Sequence, residues 1–277
     1  MVLKMGNVKI PDSQIERTGY IELPECCDVP GHEKVNMIHF HNDIICPRCK
    51  LQKNNQEFAY KKTSEHFENT AEGRRLFFYK NSIIHNRKIL DKGIKDYINK
   101  NDNESLVKKQ ANQVAHDVIA DNRNVFMFGG AGTGKSHLLV GILKNINELS
   151  NDKRCLFVSV PKLLGNIKKS FNDPMELKGE AYYMKLLSDA DVLGLDDIGA
   201  ELSMNTTKQA TDFTINTLYN ILNAREGKST LFTSNLTIEQ LNRLMDERIT
   251  SRIKTNVIYM DFKNISDKRE IEYKLKK

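Results

Sequence analysis

The eight residues GGAGTGKS, Gly129 to Ser136, constrain this chain more than any other stretch. They fit the pattern G-x-x-x-x-G-K-[ST], with the apolar run VFMF (125–128) directly before them and an amphipathic pattern directly after. Glycines let the backbone of Gly129, Gly130, Ala131, Gly132, Thr133 and Gly134 curl so that its N–H groups point inward as an anion nest. The helix that follows adds its own unpaired N-terminal donors. Lys135 is placed to reach the β- and γ-phosphates of ATP, and Ser136 to ligate Mg²⁺.

A strand before this loop and a helix after it imply an α/β sheet, and the rest of the chain supplies one. VFMF, CLFVSV (155–160), DVLGL (191–195), TLFTS (230–234) and VIYMDF (257–262) are short apolar runs of the kind buried on both faces of a parallel sheet. Amphipathic helices lie between them, one carrying Leu138, Leu139, Ile142, Leu143, Ile146 and Leu149, another Phe213, Leu218, Tyr219 and Leu222. The expected fold class is α/β, a P-loop αβα sandwich with a five-stranded parallel sheet.

Three further segments carry polar groups at strand or helix ends. Asp196 closes the DVLGL strand, where its carboxylate would hold Mg²⁺ beside the phosphate loop. Asp197 follows and is placed to polarise the attacking water; being one methylene shorter than glutamate, it reaches less far, and geometry governs a general base before pKa does. Glu201 is a second candidate. Asn235, after TLFTS, either senses a γ-phosphate or turns the chain. Arg248 and Arg252 are four apart, so they share one helix face; taken alone, both read as surface salt-bridge partners.

The segments GGAGTGKSHLL, LGLDDIGAE, LYNILNAR, LFTSNLT and ERITSRI, in this order, resemble bacterial and phage replicative-helicase loaders of the DnaC/DnaI type, which are AAA+ ATPases. The resemblance covers roughly residues 80–270. It implies an ATPase that is slow and switch-like, and that binds a hexameric replicative helicase and places it on single-stranded DNA. Asn235 matches the family's sensor 1 asparagine. Arg252 matches its arginine finger, which would act on an AAA+ neighbour or a second copy of the chain, with Arg248 as the nearby alternative. The family also carries Asp-Asp-Ile-Gly-Ala-Glu, so Asp197 in place of the more usual glutamate fits ATP as a timing signal. About fifteen residues follow VIYMDF, too few for a helical lid or a helix-turn-helix, and Arg269 is too near the end to belong to a lid. That disfavours a DnaA-type initiator. NIKKSF (166–171) precedes Asn172-Asp173-Pro174 in a neighbourhood that faces the channel of AAA+ rings, so Lys168 and Lys169 are candidates for DNA contact.

Four of the five cysteines, Cys26, Cys27, Cys46 and Cys49, lie in the first fifth of the chain. No apolar h-region and no run near the ~18 residues of a membrane span is present, so a cytoplasmic location without membrane contact is expected. In a reducing compartment clustered cysteines bind metal more often than they pair. Cys46 and Cys49 form a C-x₂-C knuckle, and Cys27 with His32 forms the best second pair for a tetrahedral Zn²⁺. Cys26, His39 and His41 compete. KVNMIHF and DIIC read as two strands around HND, so the segment is expected to be a small zinc ribbon whose metal replaces a core that so few residues cannot build. Helicase loaders of this type carry such modules as helicase-interaction domains. The expected division is a zinc-binding domain over 1–55, a helical linker over 56–105, with one apolar helix face through Ile83, Ile84, Leu90, Ile94, Tyr97 and Ile98, and an ATPase domain over 106–277 without a C-terminal lid. The net charge of +6 suits nucleic acid or an acidic partner without choosing between them. An IstB-type transposition helper shares the ATPase core but not the zinc ribbon. A non-hydrolysing helicase-binding adaptor is the other alternative.

Overall fold

The computed structural model describes residues 3–5, 8–10, 20–40, 43–150, 152–173, 178–200, 202 and 210–268. His41, Glu201 and Arg269 lie outside the described residues. The chain divides into two compact units, Met1–Phe67 and Glu68–Lys277.

In the first unit β1 (Leu3–Met5) pairs antiparallel with β2 (Val8–Ile10). A separate antiparallel sheet runs β3 (Tyr20–Cys26), β4 (Asn36–Phe40), β5 (Asp43–Ile45). The latter two are the strands expected around HND. Helix α1 (Pro47–Glu68) then starts inside the C-x₂-C knuckle and carries no buried residue. It runs straight through position 55, which is why the units separate at Phe67 rather than there.

The second unit begins with α2 (Ala71–Asn81), whose N-cap Thr70 accepts a hydrogen bond from the Gly73 N–H at 3.0 Å. The single apolar-faced helix expected through Ile83–Ile98 does not form. Ile83 instead extends along the sheet edge, its N–H donating to Phe157 O and its carbonyl accepting from Ser159 N–H. Two short 3₁₀ turns follow, Arg87–Asp91 and Ile94–Asp96. Asn86 Oδ1 accepts from Lys88 N–H and Asp96 Oδ2 from Gly93 N–H, local bonds that compete with helix propagation. Leu90, Ile94 and Tyr97 are nevertheless buried, in the same core as Met127 and Leu138. Of the residues expected to form a linker, 68–105 are therefore part of the second unit, while 56–67 belong to the first.

The remaining elements are α3 (Asp102–Ala120), β6 (Asn124–Phe128), α4 (Lys135–Leu149), β7 (Cys155–Ser159), α5 (Val160–Asn172), α6 (Glu180–Asp189), β8 (Val192–Asp196), α7 (Asp212–Asn223), β9 (Ser229–Ser234), α8 (Ile238–Leu244), α9 (Glu247–Lys254) and β10 (Val257–Asp261). The five strands form one parallel sheet in the order β10-β6-β9-β8-β7. Side chains alternate across it, as a period of two requires. Val125, Met127, Cys155, Phe157 and Leu231 enter the core shared with α3 and α4. Phe126, Leu156, Val158, Leu193 and Phe232 enter the opposite core, with α5, α6, α7 and α9. β6, β7, β8 and β9 are thus covered on both faces, which explains their uninterrupted apolar runs and makes the unit an αβα sandwich, while the edge strand β10 leaves Tyr259 exposed. Leu149 alone of its predicted stripe is exposed, at the last residue of α4.

Arg225, from the LYNILNAR segment, is buried, and the nearby Asp191 charge favours its protonated form. Its guanidinium donates to the carbonyls of Leu187 and Ala190, both at 2.6 Å, and of Ser229 at 2.8 Å. With Nη2 also donating to Asp191 O and Nε to the Thr230 hydroxyl, the guanidinium satisfies acceptors at the turn between α6 and β8 and at the start of β9, so its work is structural.

Candidate functional site

Parallel strands deliver their C-terminal ends to one edge of the sheet, and four of them meet at the phosphate loop. The loop leaves β6 at Gly129, with φ of 144°, and enters α4 through Gly134, with φ of 91°. Both positions exclude a side chain on two grounds. The backbone lies where L-residues are disfavoured, and a Cβ would stand 2.6 Å from the Phe262 carbonyl carbon at Gly129 and 2.6 Å from the Tyr97 ring at Gly134. Tyr97 Oη also donates to Thr133 O at 3.0 Å. The aromatic residue that the sequence placed on a linker helix thus holds the loop from behind.

Lys135 is buried, and its Nζ donates to Gly129 O (2.8 Å), Gly130 O (2.7 Å) and Asn235 Oδ1 (2.9 Å). Lysine and asparagine one hundred positions apart in sequence are therefore joined at the loop. Asp196 is buried at the end of β8, where its Oδ1 accepts from Thr233 Oγ1 at 2.7 Å. Burial pushes its carboxyl up, and so does the neighbouring Asp197 charge; bonds from Thr233 and Ser136 and the Lys135 charge pull it back, leaving it at about 6. A divalent cation between Asp196 and Ser136 would remove that penalty, so the donor set fits Mg²⁺, which takes one or two carboxylates plus phosphate oxygens. Asp197 has φ of 61°, an αL value that aspartate tolerates better than most residues. Its N–H donates to Thr233 Oγ1 at 2.9 Å. The kink turns it into the same cleft, about 740 Å³, that Lys135, Ser136 and Asn235 line.

Sequence reasoning misses Thr233: inside an apolar strand a threonine reads as β-branched filler, and only the strand order puts it beside β8. The cleft also includes Asn86, Lys92, Asp96 and His137, the first three from the segment expected to be a linker. Glu104 and Lys268 are a second omission. Glu104, fully buried in the first turn of α3, forms an ion pair with Lys268 (2.5 Å) and accepts from Ser266 Oγ and Lys100 N–H, both 2.7 Å. Lys268 N–H in turn donates to Gly132 O at 2.8 Å, so the segment after β10 is tied to the phosphate loop. Burial alone would raise the Glu104 carboxyl, but Lys268, Lys100 and Ser266 outweigh it and hold it at about 2. A carboxyl held below its unfolded value adds stability that is complete above about pH 4.5 and is lost as pH falls toward 2. Glu104→Gln is expected to cost about 3 kcal/mol at neutral pH, since it strands a nearly buried ammonium. That lowers the melting temperature by roughly 6–12 °C and flattens the acid limb of the stability curve. A melting temperature unchanged at pH 7 would contradict this.

Arg252 lies elsewhere. Its Nη2 donates to Asn223 Oδ1 at 2.6 Å and its guanidinium sits over the Tyr219 ring, as does that of Arg248, which is paired with Asp246 at 2.7 Å. Asn124, the first residue of β6, donates to Arg252 O. The arginine is thus at the strand-start edge of the sheet, a strand's length (~16 Å) from the phosphate loop, and does not reach its own chain's site.

In the first unit Cys27, His32, Cys46 and Cys49 converge, with all four ligand atoms within 4.8 Å of one another. Gly31, with φ of 85°, bends the chain between Cys27 and His32. A tetrahedral zinc sets S···S at about 3.8 Å and S···N at about 3.5 Å. Here Cys27 Sγ and Cys49 Sγ are 3.7 Å apart, and His32 Nδ1 is 3.2 Å from Cys49 Sγ and 3.9 Å from Cys46 Sγ. Desolvation and the two neighbouring thiols push the Cys49 thiol up to about 11, a crowding that a cation would reverse. Of the competitors, Cys26 turns outward to Asn36 Oδ1 and His39 is not in the cluster. The arrangement is consistent with a zinc site.

Comparison with known proteins agrees with this geometry. Residues 92–260 match the family model of the bacterial DnaA ATPase domain. Chromosomal replication initiator DnaA of Kosmotoga olearia is 28% identical over 162 residues, covering 56% of this chain and 34% of the relative. DnaA of Francisella philomiragia is 25% identical over 151 residues, 54% and 29% respectively. The chain thus spans about a third of the length of these curated relatives. Among solved structures, a DnaC helicase loader superposes with a TM-score of 0.53 and 21% identity, over 65% of this chain and 100% of that one. DnaI gives 0.51 and 21%, over 65% and 95%. A DnaA bound to AMPPCP and single-stranded DNA gives 0.50 and 18%, over 67% and 55%. These likenesses establish the shared AAA+ fold; the family match covers an ATPase domain and does not separate an initiator from a loader. No helix among the described residues is long and apolar enough to cross a membrane. With more than half of its length matched, and with Lys135 bonded to Asn235 and Ser136 to Asp196 at one loop, the chain belongs to the bacterial DnaA ATPase domain family, whose nucleotide is ATP with Mg²⁺.

Proposed function

We propose that the protein is an ATP-controlled loader of a hexameric replicative helicase onto single-stranded DNA. Within it, Gly129 to Ser136 hold the phosphates, and Asp196 with Ser136 holds Mg²⁺. Asp197 positions the attacking water, and Asn235 reports the γ-phosphate to Lys135. Arg252 completes the site of an AAA+ neighbour, a role its distance from its own phosphate loop supports. Cys27, His32, Cys46 and Cys49 hold a structural Zn²⁺ in a module that grips the helicase. Lys168 and Lys169 on α5 contact DNA backbone. Turnover is slow, because Asp197 reaches less far than a glutamate would.

The observation that carries this reading is the pairing, in one chain, of an AAA+ phosphate site with a separate cluster of metal-ligating geometry. The test is co-purification of the full chain with a hexameric replicative helicase, with and without ATP. ATP-dependent recovery of the helicase is expected. Recovery of a transposase in its place would favour the IstB-type alternative. Full loading by Asp197→Asn would favour the non-hydrolysing adaptor. A steady-state ATPase rate above about 10 s⁻¹, the median for enzymes, would overturn the switch.

A further inference from the structure

The crest of the phosphate loop is held at two carbonyls by residues from distant parts of the chain. Gly132 O accepts from the Lys268 N–H at 2.8 Å, and Thr133 O accepts from Tyr97 Oη at 3.0 Å. These oxygens belong to successive peptide units, Gly132–Thr133 and Thr133–Gly134. No cis peptide occurs among the described residues, and a planar trans peptide points its C=O and N–H in opposite directions. Each anchor that holds a carbonyl from behind therefore aims an amide forward. The Thr133 and Gly134 N–H groups are turned to the side where the loop closes on phosphate. An anion nest works only while its N–H groups converge. The anchors thus fix an orientation that glycines, with φ of 75° at Gly132 and 91° at Gly134, leave soft.

Both anchors are themselves fixed. Tyr97 is buried, with the His137 ring edge-on to its own at 5.8 Å and the Lys268 ammonium 5.1 Å from its ring centre. Burial, and then the Glu104 charge, push its hydroxyl up, so it remains a donor at any working pH. Lys268 is held by its ion pair with the fully buried Glu104. The Asp267 carboxylate packs directly against Gly132, in the space a Cβ there would take. A phosphate that draws on a forward N–H polarises the same peptide unit and strengthens the bond its carbonyl accepts. Anchor and phosphate therefore favour each other, and such coupling is reciprocal. We infer that Tyr97 and the Lys268 backbone are positioning residues for the nucleotide phosphates, and that nucleotide binding in turn tightens the segment after β10 onto the loop. The inference rests on the assignment of Gly129 to Ser136 as the phosphate site.

Two measurements on the full chain test it. Tyr97→Phe keeps the ring against Gly134 and removes only the hydroxyl. It is expected to weaken Mg-ADP, whose phosphates the loop amides cradle, by about threefold to tenfold, the scale of one hydrogen bond. Thermal unfolding without nucleotide controls for the fold. The second measurement is amide hydrogen exchange in the wild-type protein. Mg-ADP is expected to slow exchange at the Lys268 N–H by a larger factor than at the Ala224 N–H, whose bond to Asn220 O closes α7 at the opposite edge of the sheet. The Ala224 amide accounts for the general stabilisation that any ligand of the folded state confers. This measurement decides by itself if the variant does not fold. An affinity of Tyr97→Phe within twofold of wild type, or equal slowing at the two amides, overturns the inference and leaves the phosphate-loop assignment standing. Wild-type protein that does not bind Mg-ADP removes both.

Discussion

Lys135→Ala is expected to lower the affinity for Mg-ATP by roughly 100-fold or more, about 3 kcal/mol, which is the scale of lost hydrogen bonds to charged groups. The ammonium is buried at the loop and already bonded to two loop carbonyls and Asn235, so its position is set before any phosphate arrives. That pre-organisation is why the loss should be large: little ordering of the side chain remains to be done on binding. The same contacts predict a second effect. Alanine leaves the carbonyls of Gly129 and Gly130 without this partner, so the nucleotide-free protein should also lose about 1–3 kcal/mol of stability. Titration with a fluorescent ATP analogue measures the first effect and thermal unfolding without nucleotide the second. An affinity within twofold of wild type would contradict the assignment of this loop as the phosphate site.

The second large effect concerns the metal cluster. The purified protein is expected to contain one zinc per chain, and Cys46→Ser or a strong chelator to remove it and unfold the segment from β3 to the knuckle. Binding energy of structural zinc in small domains, about 10–16 kcal/mol, is folding energy. Among the described hydrophobic residues of this unit only Cys27, Ile38 and Cys46 are buried, and α1 buries nothing, so little else holds it. ATP binding by the second unit should persist, since its two cores contain no residue from the first. Metal analysis with limited proteolysis of residues 20–67 decides the matter. A chain that holds no zinc as purified and shows the same protease resistance with and without chelator would remove the metal assignment.

The sheet is legible in the sequence because parallel strands covered on both faces leave a mark that needs no partner to be read: Val125–Phe128 or Leu193–Leu195 carry no polar side chain at any position. The phosphate loop is legible for a related reason. Its glycines answer to backbone conformation, and Lys135 and Ser136 sit next to it in sequence. The two strands before the knuckle can be read from their alternation. The stretch from Ile83 to Ile98 cannot. Its apolar spacing suits a helix, yet Ile83 pairs with the sheet edge, and Asn86 and Asp96 bond to nearby backbone N–H groups and turn the chain into 3₁₀ segments. Periodicity records which residues are buried, and here burial comes from packing against α4 and the sheet.

By itself, then, the sequence determined those features whose physical cause lies within a few residues: strand identity, the curl of the glycine loop, the knuckle and the acid that ends β8. Tertiary structure alone decided the rest. Strand order set Thr233 between Asp196 and the Asp197 backbone. Core packing put Tyr97 behind Gly134, Glu104 under Lys268, and Arg252 at the sheet edge opposite the glycine loop. These depend on contacts between residues tens to more than a hundred positions apart, and distance along the chain carries no record of distance in the fold.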